Sequence, residues 1–442
     1  MLKQNTINRL KITLNTIILF LTSYVLQINL AIPFFLLTLF VYLRYRSPSL
    51  KNYNLLNLTL LFVINFVVSY SVLRHGWNVF YIPFAAIPML TTLLFAQLEI
   101  SLLITLASSV VVASIAGYHL YFWVFFLVSG ILSSILILGS RKRMAIIHAG
   151  FVTGLVQAVI LFLFSGFRSD NPLRYMLAII NGIGSSIIVL GVLPVFEYLF
   201  KRVTNISLLE LADFDHPLLQ RLILEAPGTY HHSLVVGNLS EAACGIVGAN
   251  ALLARIGAYY HDIGKLSKPE YFSENQDINA SKHEALPPSM SKLIIMNHVK
   301  EGVDLAKKHK LNLRLIDFIQ QHHGNSLVYY FYRRALESSE EDQEIKEDGF
   351  RYPGPKPDTK ETAIVLLADS AEAATRALKD PTPTKVEEIV HKVINNKFID
   401  RQLDECELTL KDLEKIAAVF IRILSGIYHS RITYPEGSVS SK

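Results

Sequence analysis

For its first 200 residues the chain alternates long apolar runs with short polar connections, and it then changes to helical spacing with charged faces. Eight apolar stretches can be marked, at 12–27, 30–44, 54–73, 79–96, 99–117, 119–139, 144–166 and 174–200. A helix needs ~20 apolar residues to cross a bilayer core unaided, and several of these runs are shorter. The first two are joined only by Gln27-Ile28-Asn29 and Pro33 follows closely, so this region reads as two tight spans or as one re-entrant hairpin. After Lys201-Arg202 the pattern changes, and Ser207-Leu-Leu-Glu210 fits a capping box opening a helix. Helical periodicity then dominates to about 325, with turn signals at Pro227-Gly228, Pro269 and Pro287-Pro288 and no strand-like alternation. Further helices are predicted over 360–378, 384–398 and 409–430. The chain therefore reads as all-α. A polytopic transmembrane helical domain of about seven or eight helices over 1–202 precedes an all-helical domain over 203–435 and a flexible tail over 436–442. Residues 337–348 are a charged low-complexity loop and Tyr352–Pro357 a rigid turn-rich segment, together a flap beside a site or a plain solvated loop.

Charge sharpens this division. The 442 residues are 51% hydrophobic with net charge +5, but residues 1–200 hold 12 Lys and Arg against 3 Asp and Glu, and residues 201–442 hold 30 against 34. The basic excess lies between apolar runs, at Lys3/Arg9/Lys11, Arg44/Arg46/Lys51, Arg141-Lys142-Arg143 and Lys201-Arg202. Eight crossings would put all four clusters on the cytoplasmic side, so the excess orients a membrane domain and argues against a nucleic acid polymer as partner. His75, His119, His148 and Glu99 fall at span ends or connections, where interfacial solvation explains them. Two cysteines, Cys244 and Cys406, are too few for a disulfide framework or a thiolate cluster.

The second half carries seven candidate metal ligands: His232, His261, Asp262, His298, His322, His323 and Asp369. The gaps between them, of 29, 36, 24 and 46 residues, each hold a helix and a turn, so a bundle can gather them. One hydrolytic ion needs only three or four protein ligands, so seven with a central carboxylate suit two ions. Mixed imidazole and carboxylate donors favour iron, manganese or zinc over magnesium or calcium. The chemistry that follows is hydrolysis, best of a phosphate ester. Lys265 shares a face with Asp262 if the segment between them makes a helical turn, to hold phosphate charge or protonate a leaving group; the alternative is a surface lysine. Tyr230, His231, Arg333, Arg351 and Tyr352 are candidates for base or phosphate contacts. His216, His283, His309, His391 and His429 read as structural or surface histidines.

The ligands stand in GTYHHSLVVGNLSEAA, ARIGAYYHDIGKL, IIMNHVKEGVDLAKKH, IDFIQQHHGNSL and AIVLLADSAEAA, with FRYPGPKP between the last two. In this order they resemble the HD superfamily of metal-dependent phosphohydrolases, and most closely its seven-transmembrane HD branch of PgpH-type cyclic di-AMP phosphodiesterases. The resemblance implies that His232, His261, Asp262 and Asp369 hold one divalent ion, and that Asp262, His298, His322 and His323 hold a second, Fe or Mn by preference. Asp262 would bridge the ions, and with Lys265 serve catalysis. It further implies hydrolysis of cyclic di-AMP to linear pApA, a multi-pass position in a bacterial cell membrane with the HD domain cytoplasmic, and room for a homodimer. Many PgpH relatives carry a large extracellular domain after the first span; here Gln27–Asn29 occupies that place, so sensing through such a domain is expected to be absent. Two other readings stand: an HD phosphodiesterase for cyclic di-GMP, a linear dinucleotide or an alarmone, and a membrane receptor whose HD domain mainly binds nucleotide. No Gly-Tyr-Pro follows His322-His323 and no synthetase domain is present, as the cyclic di-GMP and alarmone enzymes usually have.

Overall fold

The computed structural model describes residues 55–117, 119–165, 172–276, 282–338 and 345–428. The stretches 12–27 and 30–44, the Gln27–Asn29 connection, the tail 436–442 and the middle of the charged loop lie outside them. The chain divides into two compact units, up to Ile206 and from Ser207. Every regular element among the described residues is helical, and one isolated bridge joins Leu327 and Arg351.

In the first unit, five helices are long and apolar enough to cross a membrane: α1 (Leu55–Arg74), α3 (Leu98–Ile115), α4 (Leu120–Ile137), α5 (Arg143–Ser165) and α6 (Pro172–Phe200). The expected continuous span over 79–96 is instead broken. It is a 3-10 turn at Val79–Tyr81 followed by α2 (Ala86–Phe95), because Pro83 lacks the amide hydrogen that a continuous helix would need there. Breaking a helix at membrane depth frees carbonyls that no water can satisfy. Asn181 on α6 supplies a donor to two of them, its Nδ2 donating to the Phe80 oxygen at 2.7 Å and, beside the Phe84 amide, to the Ile82 oxygen at 2.8 Å. At the other end of the segment, Phe95 packs on Phe200 with ring centroids 6.4 Å apart. Asn181 and Phe200 are nineteen residues apart on α6, roughly 28 Å of helix, so the broken segment still covers nearly the full hydrocarbon depth.

A short helix, α7 (Asn205–Leu211), begins two residues ahead of the Ser207–Glu210 box, and Ile206 within it is buried in the apolar core of the first unit. Then come α8 (Pro217–Glu225), α9 (Pro227–Val247), α10 (Ala251–Tyr260), α11 (Pro288–Lys308), α12 (Leu313–Gln321), α13 (Tyr329–Glu337), α14 (Lys360–Arg376), α15 (Pro383–Ile399) and α16 (Leu410–Ile427). At the centre is α14. Its start is fixed by a reciprocal capping box between Thr359 and Thr362, and Glu361 and Arg376 complement the helix dipole at its two ends. Ala363 to Ala368 are fully buried without a break, packed among Val236, Leu239, Phe318, Ile416 and Phe420. A helix apolar on all sides must be surrounded, and α9, α10, α12, α15 and α16 surround it. Truncating a central side chain such as Leu367 to Ala would cost about 3 kcal/mol.

Candidate metal centre

Five helices deliver the seven sequence-predicted residues to one cleft. His232 lies on α9, His261 and Asp262 at the end of α10, His298 within α11, His322 and His323 just after α12, and Asp369 on α14. After Asp262 the chain turns sharply through a 3-10 helix, Ile263–Ser267. There Gly264 lies directly against the His298 carbonyl of α11, so closely that any Cβ would collide with it. A glycine is the residue that lets α10 and α11 bring Asp262 and His298 together.

The two oxygens of Asp262 face different neighbours. Its Oδ2 lies 3.2 Å from His261 Nε2 and 3.8 Å from His232 Nε2, while its Oδ1 lies 3.3 Å from His298 Nε2 and 3.5 Å from His322 Nε2. Asp369 Oδ1 lies 3.0 Å from His232 Nε2, and Asp369 Oδ2 lies 3.6 Å from His323 Nδ1. The donors thus form two groups that share Asp262, one of His232, His261, Asp262 and Asp369, the other of Asp262, His298, His322 and His323. Within each group the ligand atoms lie within 4.8 Å of one another.

Hydrogen bonds on the far side of the rings decide where the protons are. A carbonyl oxygen can only accept, so Nδ1 carries the proton where His261 meets the Ala258 oxygen (2.6 Å), His298 the Ile295 oxygen and His322 the Ile319 oxygen (2.9 Å). His232 Nδ1 likewise donates to Glu372, a carboxylate 1% exposed. In the neutral rings Nε2 is left as a lone pair pointing at Asp262. His298 Nε2 and His322 Nε2 are 3.2 Å apart with no hydrogen for either, and His261 Nε2 and Asp262 Oδ1 are buried without a hydrogen-bond partner. Converging lone pairs and carboxylate oxygens in a largely buried cluster fit cations, which turn their mutual repulsion into ligation.

Electrostatics agree. Burial opposes the charge on Asp262, but His261 and Lys265 outweigh it and hold the carboxyl well below its usual range. Burial also opposes the charge on Asp369, which His232 and His323 hold low. Burial pushes His298 down to about 4 and also lowers His323, keeping both rings neutral and able to ligate. For His232, burial is outweighed by the hydrogen bonds to Asp369 and Glu372, which lift it to about 9 in the absence of a cation. Lys265 Nζ sits 2.8 Å from Asp262 Oδ2 and 2.6 Å from Glu274 Oε1, on the same face as Asp262 as the spacing predicts.

Of the other candidates, Tyr352 is buried and stacks on His323, with centroids 4.3 Å apart and planes at 27°. Arg351 is occupied by Asp400, Glu347 and the Asn325 carbonyl. Arg333 is an exposed residue of α13 beside Glu337, His231 is exposed, and Tyr230 packs edge-on to Phe214. Sequence reading missed Glu372 and Glu274. Glu372 falls three residues after Asp369, the spacing that puts two side chains on one helix face, so a signal existed. Glu274 carried none, since only the folding back of the segment after the 3-10 turn brings it to Lys265.

Residues 8–204 match the family described as "7TM receptor with intracellular HD hydrolase", and residues 229–374 match the HD domain family. The chain is 38% identical over 414 residues to the cyclic-di-AMP phosphodiesterase PgpH of Bacillus subtilis, covering 90% of this chain and 57% of that protein. It is 40% identical over 319 residues to the protein of the same name from Listeria monocytogenes, covering 71% and 44%. The crystal structure of the L. monocytogenes PgpH HD domain in complex with cyclic-di-AMP is 46% identical, covering 50% of this chain and 100% of that one with a TM-score of 0.46. The chain spans about half the length of the curated relatives it matches. With both halves matched in order, the chain belongs to the family of seven-transmembrane proteins that carry an HD hydrolase domain.

Proposed function

We propose that this chain is a membrane-anchored, metal-dependent phosphodiesterase that hydrolyses cyclic di-AMP to linear pApA and so lowers the level of a second messenger. The observation that carries the reading is the division of Asp262, one oxygen toward each group of imidazoles. In this reading His232, His261, Asp262 and Asp369 hold one ion and Asp262, His298, His322 and His323 the other, with Fe or Mn suiting the mixed N and O donors. When bound, the ions supply an activated water and neutralise charge on the phosphoryl oxygens.

The chain's own residues prepare that chemistry. Backbone carbonyls and Glu372 aim the Nε2 lone pairs inward. Burial in Lys265 is outweighed by Asp262 and Glu274, which raise its pKa, so the lysine holds charge around Asp262 and is a poor proton donor to a leaving group. Tyr352 shields one face of His323 from water. The basic Lys201-Arg202 pair after α6 favours a cytoplasmic HD domain, where soluble cyclic dinucleotides are found. The adenine preference rests on the named relatives alone.

The test is a panel of cyclic and linear dinucleotides given to the detergent-purified, Mn- or Fe-loaded chain, with products identified by mass. Cyclic di-AMP should yield pApA, and turnover should vanish with chelator or Asp262→Ala. Preference for cyclic di-GMP, or tight binding without turnover, would overturn the reading.

A further inference from the structure

Beyond the residues matched to the HD domain family, the last turn of α15 returns to the centre. Lys397 Nζ donates to Ser326 Oγ at 2.8 Å, three residues past His323. The residues that follow hold the same loop in place. Asp400 takes Arg351 at 2.8 Å, and Gln402 both donates to Asn325 Oδ1 at 2.7 Å and accepts from the Asn325 amide at 3.0 Å. The Ser326 carbonyl in turn accepts from the Tyr352 amide at 3.0 Å, and the Tyr352 ring lies on His323. Lys397 is therefore fixed on the His323 side of the cleft, near enough to Asp369 to feel its charge.

Its company differs from that of the other cations here. Lys265 and Arg351 each sit within 2.8 Å of carboxylates. Among the described residues Lys397 forms no ion pair, and its hydrogen bond goes to a neutral hydroxyl. An ammonium has three N–H donors, so this one keeps capacity for further acceptors while half-buried. Burial works against its charge, Asp369 and Asp400 favour it, and Arg351 opposes it. A half-buried cation on the loop that carries His323, without an anion of its own, is a site for an incoming anion.

We propose that Lys397 binds a phosphate oxygen of the substrate on the His323–Asp369 side of the cleft, supplying from α15 a cation that the HD motif itself does not provide. This rests on the phosphodiesterase reading above.

The test uses the full metal-loaded chain with two substrates, cyclic di-AMP and the generic phosphodiester bis(p-nitrophenyl) phosphate, and inorganic phosphate as a competing anion. Lys397→Met should lower kcat/KM for both by at least about ten-fold, as expected for loss of a charged hydrogen bond, and weaken inhibition by phosphate. Metal content should be unchanged, and Lys397→Arg should recover part of the loss. Lys397→Gln, which removes charge without inserting an apolar group, decides the matter if the Met variant does not fold. Unchanged kcat/KM and phosphate inhibition, or losses that merely follow lost metal, would overturn the proposal. Failure of the unmodified chain to hydrolyse either substrate would instead count against the phosphodiesterase reading.

Discussion

His298 Nε2 faces His322 Nε2 across 3.2 Å, with the proton of each ring committed to a carbonyl on its own helix. Such a pair is repulsive without a cation between them and Asp262. Replacing either residue by Ala should lower bound metal from two ions per chain to about one, with activity reduced about 100-fold or more. Elemental analysis of desalted His298→Ala decides it, and retention of both ions would contradict the assignment.

Glu372 fixes the proton of His232 and is itself held by Tyr428, whose hydroxyl donates to Oε1 at 2.8 Å. Glu372→Gln keeps the size and loses the charge. Metal affinity at the His232 side should fall about 10- to 100-fold, read by competition with a chelator, with little change in thermal stability.

Gly264→Ala places a methyl group against the His298 carbonyl. Either α11 moves away or the 3-10 turn distorts, at about 1–3 kcal/mol. The expected signature is a lowered melting temperature together with loss of metal from the His298–His322 side first. A variant with native stability and full metal content would show that the contact is slack.

Asn181→Ala removes the side-chain donor to the Phe80 and Ile82 carbonyls in the broken segment. The Ile82 oxygen keeps the Phe84 amide, but the Phe80 oxygen is left unpaired at about 1–3 kcal/mol, so the membrane unit should lose a few degrees of stability in detergent. Temperature-dependent aggregation monitored by size exclusion would measure it.

Hydrogen bonds from Thr409 hold the Asp412 carboxyl below its usual range at the start of α16. A folded-state pKa below the unfolded value of ~3.9 means that the contribution is fully present above that value and is lost as pH falls through the folded one. The difference in melting temperature between the unmodified chain and Asp412→Asn should therefore be constant from neutral pH to about pH 5 and shrink below about pH 4. A gap that widens in acid would reverse the assigned sign.

The gathering of the seven residues was legible because they sit in short local contexts: HDIGK, NHVKEG and QHHG each mark a candidate ligand by its neighbours. What lay outside such contexts was hidden. Lys397 has an unremarkable helical neighbourhood, and only packing of α15 against the 323–326 loop gives it meaning. Arg351 looked like an anion contact by chemistry, yet Asp400, 49 residues away, claims its guanidinium. In the membrane unit, composition marked 79–96 as one apolar run. Pro83 and Pro88 within it were the local evidence for a break, and the partner that makes the break tolerable, Asn181, is about 100 residues away.

Three of the imidazoles, His261, His298 and His322, give their Nδ1 protons to the carbonyl three residues earlier on their own chain. A backbone oxygen is present whatever side chain occupies the position, so Ala258, Ile295 and Ile319 could drift without disturbing those ring protons. Of the four rings whose Nδ1 proton is held by such a hydrogen bond, His232 alone relies on a side chain, Glu372. Mutational erosion of the centre that spares its seven donors would therefore begin at α14, three residues beyond Asp369.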